Sequence, residues 1–116
     1  MRKEFRVKKD SDFTKILQNK SSFANRNFIC YHLQNPENKH FRVGISVGKK
    51  VSKRAVDRNS VKRKIRESLF ELKDEIREDE DFIIIARPTA LDLKTIEVKK
   101  NILHLLKNVG VLKEKK

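Results

Sequence analysis

The stretch "AVDRNSVKRKIRESLF", residues 55–70, decides how the rest of the chain is read. Wound as an α-helix at about 100° per residue, it puts Val61, Ile65 and Leu69 within about 80° of one another, and the row continues through Leu72 and Ile76. That is one core-facing side, and it predicts a helix over about 54–77. Lys62, Arg66, Asn59 and Arg63 fall roughly 40°, 80°, 100° and 140° from Arg58 and form a basic strip on one flank. Glu67 and Glu71 lie beyond the strip. Arg54 and Arg58 share the azimuth of the core face but occupy the first turns, where they can point past the end of a sheet.

Working outward, the charge is concentrated here. Residues 49–66 carry nine basic residues against the single acid Asp57, a net +8, whereas residues 67–81 carry eight acids and two bases, a net −6. The whole chain has 29 Lys and Arg against 16 Asp and Glu, a net +13. Charged residues make up 39% of it, well above the about 25% usual for soluble domains. A solvated helix mixes signs at i,i+4, but positions 54, 58, 62 and 66 are all positive. Such a row repels itself unless an external polyanion offsets it, and Arg forks pair well with phosphate oxygens. The unpaired N–H groups at a helix start add to that attraction. Nucleic acid is the partner this pattern favours, ahead of an anionic membrane surface.

The remaining elements are read more coarsely. "SDFTKILQ" at 11–18 predicts a short helix with Ser11 as its cap and Phe13, Ile16 and Leu17 on one side. "NFICYHLQ" at 27–34 and "FRVGISV" at 41–47 alternate as strands, and the "NPEN" turn between them predicts an antiparallel hairpin. A short strand near Ser22–Ala24 joins them. "FIIIA" at 82–86 reads as a buried strand that Arg87-Pro88 ends. A last helix over about 92–108 carries Val98, Ile102, Leu105, Leu106 and Val109 and stops at Gly110. The expectation is an α+β fold: a four-stranded sheet with helices on one face, in one domain of 116 residues with a frayed basic tail at 113–116.

Other chemistry is weakly represented. His32, His40, His104 and the single cysteine, Cys30, show no metal-ligand spacing, and Cys30 reads as a buried thiol. Asp79, Glu80 and Asp81 read as a solvated turn. No glycine-rich phosphate loop and no acid–base or nucleophile constellation stands out. After Met1 come Arg2, Lys3 and Glu4, with no apolar run of signal-peptide or membrane-span length, so a cytoplasmic protein without a membrane partner is expected. A basic helix could enter the DNA major groove, but strands flank this one on both sides, and no helix-turn-helix pair or zipper accompanies it. RNA is favoured over DNA on that ground. A ribosomal protein or RNA-assembly factor and a DNA-binding regulator stay open on composition alone.

The 55–70 stretch also matches A-x-x-R-N-x-x-K-R-x-x-R, with Ala55, Arg58, Asn59, Lys62, Arg63 and Arg66 at the fixed positions. In this the chain resembles the protein subunit of bacterial ribonuclease P, and "VKKDSDFTKIL", "SFANRNF", "RVGISVGKK" and "DFIIIARP" look like the family's other blocks in order. The resemblance implies an αβββαβα fold with a mixed sheet and a left-handed βαβ crossover, against the usual right-handed rule. It implies removal of the 5′ leader from precursor tRNA, with chemistry in a required RNA subunit, magnesium bound mainly by that RNA and the substrate, and an isolated chain that is not catalytic. Arg58, Asn59, Lys62, Arg63 and Arg66 become contacts to ribonuclease P RNA or to leader phosphates. Phe13, Leu17 and Tyr31 become walls of a leader cleft between the first helix and the sheet. The Leu17 position is often aromatic in the family, so leucine here offers apolar contact without stacking. Lys49, Lys50, Lys53 and Arg54 surround a loop whose length varies in the family.

Overall fold

A computed structural model describes residues 5–7, 10–19 and 21–113. The elements are α1 (Asp10–Gln18), β1 (Ser22–Ala24), β2 (Phe28–Gln34), β3 (Arg42–Ser46), α2 (Ala55–Leu72), β4 (Glu80–Ala86) and α3 (Thr95–Val109), the expected αβββαβα order. Short 3₁₀ turns at Lys73–Glu75 and Pro88–Asp92 follow α2 and β4. Helix α2 is therefore shorter than 54–77. Arg54 caps it with extended backbone, and Ile76 has already returned to extended backbone, although its side chain is buried. Ser11 lies inside α1 rather than capping it.

The sheet order is β1-β2-β4-β3. Strands β1 and β2 form an antiparallel hairpin, but β2 and β3 do not pair as the turn between them predicted. Strand β4 lies between them, antiparallel to β2 and parallel to β3. The reason is visible in β4 itself. Phe82 and Ile84 are buried on one face and Ile83 on the other, so this strand needs a neighbour on each side and cover on both faces. Helix α2 is the crossover between the parallel neighbours β3 and β4.

The helices do not share one face. The main core joins Phe28, Cys30, Val43, Phe82 and Ile84 of the sheet to Val61, Ile65, Leu69 and Leu72 of α2 and to Val98, Ile102, Leu105 and Leu106 of α3. The opposite face carries a smaller cluster in which α1 places Ile16 and Phe13 against Val7, Tyr31, Leu33, Ile83 and Ile85. Strand alternation divides the two sets, since successive side chains leave a sheet on opposite faces. Gly110 ends α3 at φ 87, a left-handed conformation glycine adopts readily. The Lys113 N–H donates to the Glu75 carbonyl at 2.7 Å. Positions 114–116 of the expected tail lie outside the described residues.

Two expectations about acids fail together. Glu80 and Asp81 open β4 and are buried, not solvated. Asp81 accepts from Arg42 Nε and Nη2 at 2.9 and 2.7 Å and from Asn38 and Asn35 at 2.6 and 3.3 Å. Glu80 accepts from Arg77 Nη2 at 2.7 Å, and its other oxygen lies 3.2 Å from His32 Nδ1. Sequence reading missed this because, apart from Arg77 three residues before Glu80, the partners come from β2, β3 and the 35–38 loop, which only the strand order brings together. Buried carboxylates require such pairing.

Candidate RNA interface

Helix α2 turns Val61, Ile65, Leu69 and Leu72 inward, as its periodicity predicted. On the flank, Lys62 and Arg66 are half-buried and Asn59 and Arg63 exposed. Among the described residues, none of Lys62, Arg63 and Arg66 has a carboxylate partner or a side-chain hydrogen bond. Lys64 points elsewhere and donates to the Leu93 carbonyl at 2.8 Å. Among the described residues the strip thus holds three unpaired cations along one side of the helix.

The loop before α2 is built more closely than its charge suggested. The Val51 N–H donates to Gly48 O at 3.0 Å, and the buried Val51 side chain anchors the turn. The Ser52 hydroxyl donates to Asp57 at 2.8 Å and accepts from the Arg54 N–H at 3.1 Å. Arg58 does not project freely. Its Nη1 donates to the carbonyls of Ser52 and Lys53 at 3.1 and 2.9 Å and clamps the loop to the helix. Lys49, Lys50, Lys53 and Arg54 remain exposed around that clamp.

On the opposite sheet face, the Phe13 ring lies directly over Gly44, and a Cβ at 44 would stand 2.6 Å from two of its ring carbons. A small recess of about 160 Å³ opens beside it, lined by Arg6, Val7, Phe13, Gly44, Ile45 and Arg66. Tyr31 is half-buried on the same face but does not line this recess, and Leu17 is 44% exposed, outside the apolar cluster. The structure therefore groups Phe13 with Arg66, sets Tyr31 beyond them, and leaves Leu17 on the outer side of α1.

Two neighbours of the strip escaped the sequence reading. Arg6 reaches it because residues 5–7 run beside β3: Arg6 bridges Val43, and the Val7 N–H donates to Val43 O at 3.1 Å. The alternation of Phe5 and Val7 was the available signal. Phe70 falls about 120° from Arg58, on the azimuth of the strip itself. It lines a second recess, of about 460 Å³, with Arg6, Arg63, Arg66, Glu67 and Glu71.

Nor is polar chemistry as sparse as the sequence suggested. Ser21 Oγ lies 2.5 Å from His32 Nε2, and His32 Nδ1 lies 3.2 Å from Glu80, a serine–histidine–carboxylate row. It borders neither of the two recesses described, and the glutamate is also held by Arg77. Its evident work is to tie the start of β1 to β2 and β4. Cys30 is buried, and burial first, then the nearby Glu80 charge, pushes its thiol up to about 12. Among the described residues no group of three or more His, Cys, Asp or Glu could hold a metal ion. No described helix is long and apolar enough to cross a membrane.

A mixed sheet, a crossover helix with a strip of cations that have no carboxylate partner among the described residues, and a recess under the Phe13 ring beside it define a small basic α+β protein. A family model for ribonuclease P matches residues 1–110. The ribonuclease P protein component of Enterococcus faecalis is 53% identical over 112 residues, 97% of this chain and 94% of that relative. The solved RNase P protein of Staphylococcus aureus superposes with a TM-score of 0.86 at 42% identity, covering 94% of this chain and 98% of that one. The solved RNase P protein of Thermotoga maritima gives 0.79 at 28% identity, covering 89% and 96%. The chain belongs to the ribonuclease P protein family.

Proposed function

We propose that this chain is the protein subunit of a tRNA-processing endoribonuclease, that it binds ribonuclease P RNA through α2, and that it holds the 5′ leader of precursor tRNA in the Phe13 cleft. The observation that carries this reading is the position of Arg66, which belongs both to the basic strip and to the recess beside Phe13. A strand bound along α2 could pass to the aromatic recess by way of Arg66, which borders both. Lys62, Arg63 and Arg66 supply phosphate contacts. Arg58 contributes through the loop it shapes as well as by its charge, and Asn59 offers a neutral donor beside it. Lys49, Lys50, Lys53 and Arg54 extend the field past the helix start. Phe13, with Tyr31 beyond it, offers apolar and stacking surface that tolerates any base.

In this reading the chemistry, with its magnesium, belongs to the RNA subunit and substrate, and no step is assigned to protein side chains. The chain acts as one RNA-binding unit in the cytoplasm. The test is reconstitution with ribonuclease P RNA, followed by affinities for leader-bearing and leaderless tRNA. Tighter binding of the leader-bearing form is expected, with the difference reduced by Phe13→Ala while affinity for the RNA subunit is kept. Equal affinities for the two tRNAs in the unsubstituted holoenzyme would remove the leader-binding role.

A further inference from the structure

We infer that the recess around Phe70 is a second nucleotide site, in which an unpaired base stacks on the Phe70 ring while its phosphates engage Arg6, Arg63 and Arg66. The inference rests on the reading of α2 as an RNA-binding helix, and it adds a residue that lies outside the A-x-x-R-N-x-x-K-R-x-x-R pattern.

Four observations carry it. Phe70 is 57% exposed, although the helix that bears it buries its apolar face elsewhere. Its ring stands in a recess of about 460 Å³, within the size range of small-ligand pockets. Three arginines line that recess beside two carboxylates, yet among the described residues none of the three forms an ion pair. Glu71 pairs instead with Lys99 of α3. Finally, Arg6 and Arg66 line both this recess and the one beside Phe13, so the two aromatic rings flank one pair of cations. That is the arrangement single-stranded RNA uses: charges tracking the backbone, with aromatic rings between them for the bases.

Lys73 Nζ sits over the ring, 4.4 Å from the centroid, a cation–π contact that favours one ring orientation, and Lys73 does not itself line the recess. Glu67 adds an acceptor to the recess. It lines the recess with no partner among the described residues, and a carboxylate only accepts hydrogen bonds. Adenine, cytosine and guanine can donate an exocyclic amine to it and uracil its N3–H, so the carboxylate accepts from any base, and the larger purine rings are favoured because they stack more fully on Phe70.

The chain contains no tryptophan, which makes Phe70→Trp a single fluorescent reporter at the site. The variant is titrated first with ribonuclease P RNA, and the assembled complex then with precursor tRNA carrying an oligo(A) or oligo(U) leader. Binding is followed in parallel by anisotropy of labelled RNA. Quenching is expected when the base stacks. Quenching by ribonuclease P RNA alone assigns the base to that subunit, and quenching only after precursor tRNA assigns it to the leader, with oligo(A) the stronger quencher. Phe70→Leu keeps an apolar side chain without the ring and is expected to bind the same RNA about tenfold more weakly at an unchanged melting temperature. Normal RNA binding with neither quenching nor a Phe70→Leu effect would overturn the proposed site and leave the role of α2 intact. Failure of the unsubstituted chain to bind either RNA would instead overturn the reading beneath it.

Discussion

The Phe13 ring rests on the bare backbone of Gly44, with a hypothetical Cβ at 44 only 2.6 Å from ring atoms Cε1 and Cζ. Gly44 keeps a negative φ, so close approach of the Phe13 ring rather than backbone conformation is what a side chain at 44 would meet. Gly44→Ala is expected to displace the ring and to destabilise the fold by about 1–3 kcal/mol, the usual range for overpacking. It should also blunt discrimination between leader-bearing and leaderless tRNA. Adding Phe13→Ala removes the clash, so the double variant should be more stable than the two single losses would sum to. Denaturant melts of the four chains measure this, and simple additivity would mean that the two residues do not press on one another.

Arg58 and Arg66 both stand in the basic pattern, yet the fold treats them differently. Arg58 clamps two loop carbonyls, and Arg66 has no partner among the described residues. Arg58→Ala should therefore lose about 1–2 kcal/mol of stability along with RNA affinity, since charge-assisted bonds to the backbone are lost. Arg66→Ala should change stability by less than about 0.5 kcal/mol and still weaken RNA binding. Thermal melts beside RNA-binding curves separate the two, and equal stability losses would refute the distinction.

Asp81 makes the fold sensitive to acid. Burial raises its pKa, but the Arg42 fork and the amides of Asn38 and Asn35 outweigh burial and hold it below its ordinary 3.8. A carboxyl group depressed in the folded state stabilises above its unfolded pKa and loses that contribution as pH falls through the folded value. Stability should therefore drop below about pH 4. Asp81→Asn is expected to be less stable near neutrality, because Arg42 loses its partner, and to show a flatter acid limb. An unchanged acid limb in urea melts would assign the effect to another group.

How much of this was legible depended on distance along the chain. The inward row of α2, the stop at Gly110 and the strand ending at Arg87-Pro88 were readable because each is a local periodicity or a local backbone constraint. The insertion of β4 between β2 and β3 was not, since "NPEN" reads equally as a hairpin turn or as a connection across a vacant strand position. That one topological fact also decided the fate of Glu80 and Asp81, the clamp on Asp81 and the placement of α1 apart from α2 and α3. The basic strip was legible in azimuth. Its companions were not, because Arg6 arrives from the far end of the sequence, and Phe70 looks like a core residue until Leu69 and Leu72 fill the inward face.

Ribonuclease P RNA and precursor tRNA are both polyanions, and their close approach demands heavy screening. A chain of net +13 with unpaired cations along α2 can replace part of that screening. About six phosphate contacts, at a log–log slope of roughly −0.7 to −0.9 each, would lower RNA affinity about a thousandfold over a fourfold rise in salt. The same charge should let the holoenzyme cleave at magnesium concentrations where the RNA alone is slow. Replacing Lys62, Arg63 and Arg66 together by Ala should flatten the salt slope by about three contacts' worth and move the magnesium requirement back toward that of the RNA alone. Cleavage rates across a magnesium series, with wild-type and triple-variant holoenzymes side by side, test both effects. A triple variant with the wild-type salt slope and magnesium requirement would show that the strip does not carry the electrostatic contact, and would move the search to the cations of the 48–54 loop.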